Sequence, residues 1–272
     1  MRAPDKVAVI TGASMGIGEA IAAKFLSEGA RVVLSSRDLQ RAEAARQRLG
    51  NLDRSFAFAC DVTSAEQVQA LLKATLDRYG RLDVWINNAG FGLMDSVEHM
   101  NIAACRRLFD TNLLGAIQCM QAAIPVMKSQ GSGAIINISS VAGHIAVPFM
   151  AAYSASKHAL NAIGKAARLE LKGTGVNVLT VCPGYVATDF GKNAVKGSDR
   201  FRISAAQRGV SPTRVARAVF NGYLNHRREI VVPWVDRPII WLYQRMPWLI
   251  DAAMVRMLKP ADEVHAEAAR KP

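Results

Sequence analysis

Cysteine is scarce and scattered. The 272 residues hold four, Cys60, Cys105, Cys119 and Cys182, with no C-x-x-C pair. That spacing argues against a disulfide framework or a zinc site, so no metal is expected, and it fits a reducing cytoplasmic setting. A long uninterrupted apolar run is also missing. The most apolar late stretch, Pro238 to Leu258, is broken by Arg245, Pro247, Asp251 and Arg256, which makes it a poor transmembrane helix. Met1 to Ile10 shows no long apolar run after a basic start, so no secretory signal is expected there. Negative charge is in deficit: 34 Lys and Arg face 22 Asp and Glu, for a net charge of +12. The deficit is local, since residues 1–190 hold 19 basic and 15 acidic side chains while 191–272 hold 15 and 7. No nucleic-acid reading motif accompanies those basic residues, so no nucleic-acid partner is expected.

What is present is the balance of a folded protein. Half of the residues are hydrophobic and about a fifth charged. Short β-branched runs alternate with helical patterns. Strands are expected at Val7–Ile10, Arg31–Ser35, Ser55–Ala59, Leu82–Ile86, Ala134–Ile138, Val176–Val181 and Glu229–Val232. Helices are expected near Gly18–Glu28, Leu39–Leu49, Ser64–Tyr79, Asn101–Met127, Ala152–Lys172 and Pro212–Asn225. Such alternation implies an α/β fold, a doubly wound, mostly parallel seven-stranded sheet with helices on both faces. Residues 1–232 form one such domain in this reading, with a substrate-side insertion at about 185–211. Residues 233–272 are a C-terminal aromatic and basic extension ending in a polar, Ala-rich tail.

The first strand runs into Thr11-Gly-Ala-Ser-Met-Gly-Ile-Gly18. Glycines at 12, 16 and 18 permit a tight turn and let the backbone approach a pyrophosphate at a helix N-terminus. Asn87-Asn-Ala-Gly90 follows the fourth strand, Asn112 lies in the next helix, Ser139-Ser140 closes the fifth strand, Tyr153-Ser-Ala-Ser-Lys157 opens a helix and Pro183-Gly184 follows the sixth strand. With these motifs in this order, residues 5–232 resemble the short-chain dehydrogenase/reductase family.

Tyr153 and Lys157 are four residues apart and so share a helix face. An ammonium near a phenol favours the phenolate, and lowering its pKa by about three units takes roughly 4 kcal/mol. The resemblance implies that Tyr153 exchanges a proton with the substrate oxygen and that Ser140, thirteen residues earlier, polarises that oxygen. It implies that Lys157 binds the nicotinamide ribose and lowers the tyrosine pKa, and that Asn112 holds a relay water. Cofactor contacts implied are Gly12, Ser14, Met15, Gly16, Ile17 and Gly18 in the turn; Asp61 and Val62 at adenine; Asn88, Ala89 and Gly90 on the adenosine side; and Pro183, Gly184, Val186 and Thr188 at the nicotinamide end, with Tyr153 and Lys157. An acidic residue at the end of the second strand would bind the adenosine ribose and repel a 2′-phosphate. Ser36 stands there instead, followed by Arg37, which can bind a phosphate. NADP(H) is therefore expected over NAD(H); Asp38 is the residue that would reverse this if the strand ran one position further.

The expected function is NADP(H)-dependent hydride transfer between nicotinamide and a carbonyl or secondary alcohol, with a 3-oxoacyl-thioester reductase as one alternative and a non-catalytic NADP-binding sensor or scaffold as another. Val141 to Met150 is mostly apolar, which points to a lipophilic substrate contacted by Ser140, Ala142, His144, Tyr153 and Tyr185. The family resemblance implies a homo-oligomer paired through the Asn101–Met127 and Ala152–Lys172 helices. The extension carries Trp234, Trp241 and Trp248 among Arg227, Arg228, Arg237 and Arg245. It is read first as a cover over the substrate pocket or an oligomer interface that buries these aromatics within protein. Peripheral docking at a membrane surface through 234–258 is the alternative.

Overall fold

The computed structural model describes residues 1–197 and 209–257. Residues 198–208 of the expected insertion and 258–272 of the expected tail lie outside the described residues. Among the described residues there are nine strands, β1 (Val7–Thr11), β2 (Arg31–Ser36), β3 (Ser55–Ala59), β4 (Val84–Asn87), β5 (Leu93–Met94), β6 (Gly133–Ile138), β7 (Val176–Pro183), β8 (Val195–Lys196) and β9 (Glu229–Val232). The helices among them are α1 (Gly16–Ser27), α2 (Leu39–Leu49), α3 (Ala65–Tyr79), α4 (Ile102–Phe109), α5 (Gly115–Ser129), α6 (Ala151–Glu170), α7 (Pro212–Leu224), α8 (Asp236–Arg245) and α9 (Pro247–Met257).

Seven strands form one sheet in the order β3-β2-β1-β4-β6-β7-β9, and every pairing is parallel. Parallel strands joined by crossover helices must be covered on both faces, which is why their sequences read as continuous apolar runs. Alternate residues divide between two cores. Ala8, Ile10 and Leu34 pack with Phe25, Val219 and Phe220 on one side, where the Phe25 and Phe220 rings meet edge to face at 5.1 Å. Val9, Val33 and Trp85 pack with Leu71, Met120 and Met127 on the other. β5 and β8 form a separate two-stranded ladder. The chain order reverses between β1 and β4, which places the turns that follow these two strands side by side.

Two local expectations are corrected. The fourth strand begins at Val84 rather than Leu82; the Leu82 N–H and carbonyl are both bonded to the Gln130 side-chain amide instead of a neighbouring strand. The helix expected over Asn101–Met127 is interrupted at Asp110–Leu114 by a turn of π-helix. A wider turn of this kind re-aims side chains without disturbing the apolar periodicity, and it is frequent at functional sites.

Candidate active site

The glycine-rich turn is built by close approach. Gly12 has φ +64°, and a Cβ there would lie 2.9 Å from the Ala89 Cα. At Gly18 a Cβ would strike the Gly12 carbonyl and lie 2.5 Å from the Asn88 amide nitrogen. The turn is tied to the end of β4: the Asn88 side chain donates to the Thr11 and Gly12 carbonyls at 2.9 Å. The Thr11 hydroxyl accepts from the Asn88 and Ala89 N–H groups at 3.1 Å. Thr11 was not singled out from sequence as a site residue, although it opens the motif. Met15 precedes α1 without a side-chain cap, so the first N–H groups of that helix, from Gly16, Ile17 and Gly18, are available to an anion. Ser14 accepts from Arg48 through its carbonyl, and Thr188 packs near Gly16, 3.4 Å from where a Cβ would stand.

β2 ends at Ser36, one residue beyond the expected Ser35, which is the extension under which Asp38 competes for the adenosine ribose. Arg37 is exposed and has no partner among the described residues. Asp38 caps α2, one carboxylate oxygen accepting from the Arg41 N–H at 3.2 Å. After β3, the Asp61 carboxylate accepts from the Thr63 N–H and hydroxyl, while Val62 is buried.

Ser140, Tyr153, Lys157 and Asn112 converge at the ends of β6 and β4. Ser140 follows β6, its hydroxyl accepting from the Ala142 N–H at 3.1 Å and donating to the Pro183 carbonyl at 3.3 Å. Tyr153 lies one turn inside α6, is 8% exposed and meets the Phe190 ring at 5.5 Å. Lys157 is buried and donates to the Ile138 carbonyl at 2.9 Å. The Asn112 amide is held on both ends, accepting from the Phe91 N–H and donating to the Phe91 carbonyl, each at 3.0 Å. It also reaches Ser156 at 3.4 Å, whose hydroxyl donates to the Tyr153 carbonyl. A Cβ on Gly90 would meet the Asn112 oxygen at 2.9 Å and the Lys157 ammonium at 3.8 Å. Phe190 belongs to no spaced motif and Ser156 fills an intervening position between Tyr153 and Lys157, so spacing singles out neither.

The electrostatics depart from one expectation. Burial pushes the Tyr153 phenol up to about 12, only partly offset by the neighbouring Ser140 hydroxyl. Burial also brings Lys157 down to about 8. The lowered tyrosine pKa expected from an adjacent ammonium is therefore absent, because desolvation of the phenolate outweighs a cation directed at a main-chain carbonyl.

The remaining residues line the mouth. Gly184 donates to the Val232 carbonyl at 2.7 Å. Val186 bridges to Val210, and Thr188 accepts from the Phe190 N–H at 3.3 Å. Tyr185 is 50% exposed. Ala142 packs with Tyr153, Leu93 and Ala152, joined by Phe91, Val147 and Met150, so the surroundings of the phenol are apolar. His144 is turned elsewhere: its Nε2 lies 3.4 Å from Cys182 Sγ and 3.6 Å from a Glu229 carboxylate oxygen, and its pKa is lowered by burial.

With this geometry in place, comparison with known proteins is direct. The family model described as short chain dehydrogenase matches residues 6–199. The dehydrogenase/reductase SDR family member 7B of Danio rerio is 33% identical over 90% of this chain and 82% of its own length. The ketoacyl reductase HetN of Nostoc is 38% identical over 84% and 78%. Among solved structures, a short chain dehydrogenase/reductase from Burkholderia phymatum in complex with NAD superposes with a TM-score of 0.82, at 26% identity over 92% of this chain and 96% of that one. A 3-ketoacyl-(acyl-carrier-protein) reductase from Brucella melitensis complexed with NADH gives 0.76, at 27% identity over 84% and 97%. The chain therefore belongs to the short chain dehydrogenase family.

Proposed function

We propose that the protein is an NADP(H)-dependent oxidoreductase acting on a carbonyl or secondary alcohol of a lipophilic substrate. The observation that carries this reading is the convergence of Ser140, Tyr153 and Lys157 beside an apolar cluster, next to a glycine-rich turn packed so closely on Gly12 and Asn88 that Gly18 has no room for a Cβ. That cradle, with the uncapped start of α1, fits a dinucleotide. When bound, the nicotinamide supplies a hydride.

The chain's own residues do the rest. In the reducing direction Tyr153 Oη gives its proton to the substrate oxygen as the carbon is reduced; in the oxidising direction the phenolate takes that proton back. Ser140 donates a hydrogen bond to the same oxygen. Lys157, an ammonium below pH about 8, places positive charge under the site and would hold ribose hydroxyls. Asn112, locked to Phe91, fixes the floor beneath Gly90.

For the dinucleotide end, Ser36 and the exposed Arg37, which has no partner among the described residues, support a 2′-phosphate, while Asp38, which caps α2 through one oxygen, is the acid that would favour a bare ribose. The NAD and NADH complexes of the two structural relatives belong to those proteins. The ketoacyl reductase names of the Nostoc and Brucella relatives favour a second reading, reduction of a 3-oxoacyl thioester by the same residues. NADPH and NADH oxidation against ketones, aldehydes and acyl thioesters tests both. Turnover with thioesters alone selects the second reading, and turnover with none of them under either cofactor removes both.

A further inference from the structure

The extension does not bury its tryptophans. Trp234, Trp241 and Trp248 are 68%, 54% and 59% exposed, and no described residue of the chain covers them. This corrects the expectation that the aromatics pack within the protein, as far as a single chain is concerned. The reason is that α8 is spent on its other side: Ile240 packs with Ile145, Cys182 and Val231, joined by Tyr243. Asp236, at the start of α8, lies directly against Gly184. The inner face thus anchors the helix beside the active-site mouth, and the outer face stays both apolar and basic.

That outer face has a regular pattern. Arg237, Trp241 and Arg245 recur every four residues and so form one stripe, with the Arg245 guanidinium 4.6 Å from the Trp241 ring. Ile239, Leu249 and Val255 are exposed nearby. Tryptophan beside arginine suits the boundary between acyl chains and headgroups, where the indole sits at the interface and the guanidinium reaches phosphate. Among the described residues no helix is long and apolar enough to cross a membrane. α8 and α9, broken at Met246-Pro247, have the dimensions of segments that lie on a surface.

We propose that this face docks the protein on an anionic lipid surface. Charge favours lipid over a second copy of the chain. A two-fold contact through this face would set the Arg237–Arg245 stripe against itself, and the described extension offers Asp251 as its exposed acid, Asp236 being turned to Gly184. Docked this way, the opening beside Gly184 and Tyr185 faces the bilayer, a route for lipophilic substrate that does not cross water. The docking itself is independent of the enzymatic reading.

The test uses the full-length protein with vesicles of phosphatidylcholine alone or mixed with phosphatidylglycerol, some carrying brominated acyl chains. Flotation measures binding and tryptophan quenching measures insertion; Trp85, fully buried, is a silent background. Binding to the anionic vesicles with quenching is expected, weakening in high salt and by roughly tenfold or more in Arg237→Gln/Arg245→Gln. Loss of quenching is expected in Trp234→Ala/Trp241→Ala/Trp248→Ala, which should keep turnover of a water-soluble ketone and so prove its fold. No binding by the folded protein overturns the proposal, as does unchanged binding by the triple variant. A dimer in solution that the triple variant dissolves, with no vesicle binding, assigns the face to a second copy instead. Vesicle binding without any turnover would fault only the enzymatic reading.

Discussion

The Lys157 ammonium stands 5.7 Å from the centre of the Tyr153 ring and donates to the Ile138 carbonyl. The two groups share a helix face, yet the cation is bonded to the last residue of β6, two positions before Ser140. Burial then sets both of them, raising the phenol to about 12 and lowering the ammonium to about 8.

A pH dependence follows from the lysine. Reductive kcat/KM, which reports the free enzyme, should be level around neutrality and fall above pH about 8 as Lys157 loses its proton, by up to about tenfold per unit. A profile level through pH about 10 would show that the charge of Lys157 is not needed.

The same lysine costs stability. Its pKa is lowered on folding, so the cost is full below about 8 and is relieved as pH rises toward the unfolded value of 10.5. That cost is on the order of 3 kcal/mol, against about 1 kcal/mol for the Ile138 hydrogen bond. Lys157→Met should therefore gain about 1–2 kcal/mol at neutral pH while losing activity, with the gain vanishing by pH about 10. Thermal unfolding of both proteins across this range checks it, and a destabilised variant at neutral pH would contradict it.

Arg37→Ala should weaken NADPH binding about tenfold to a hundredfold and leave NADH within about twofold, the loss of charge-assisted hydrogen bonds to one phosphate. Cofactor fluorescence titration measures both constants. Equal losses would remove Arg37 from the phosphate.

Gly18→Ala should cost about 1–3 kcal/mol and most of the cofactor affinity, because the methyl meets the Gly12 carbonyl and the Asn88 side chain in a region with no room to give. Chemical denaturation together with cofactor titration checks it; wild-type values for both would show that the turn is loose.

Much of this site is legible in the chain because its parts repeat local patterns. The seven-stranded parallel sheet follows from β-branched runs such as Val7–Ile10 alternating with amphipathic helices, and Tyr153 and Lys157 share a face by spacing alone. Other parts depend on contacts that spacing does not carry. The π turn at Asp110–Leu114 leaves the apolar rhythm of Asn101–Met127 intact, so a single helix was the natural expectation. His144 meets Cys182 and Glu229 from distant segments, and Phe190 reaches Tyr153 from the insertion. The outward tryptophans and the raised phenol pKa follow from burial, which only the assembled chain defines.

The most direct measurement is NADPH oxidation by Tyr153→Phe with a ketone that the wild type reduces. Removing the proton donor should lower kcat by about a hundredfold or more. NADPH affinity and the unfolding transition should stay near wild type, since the ring and its packing on Phe190 remain. Turnover surviving unchanged in a folded, cofactor-binding Tyr153→Phe would contradict the assignment of Tyr153 as the acid and base.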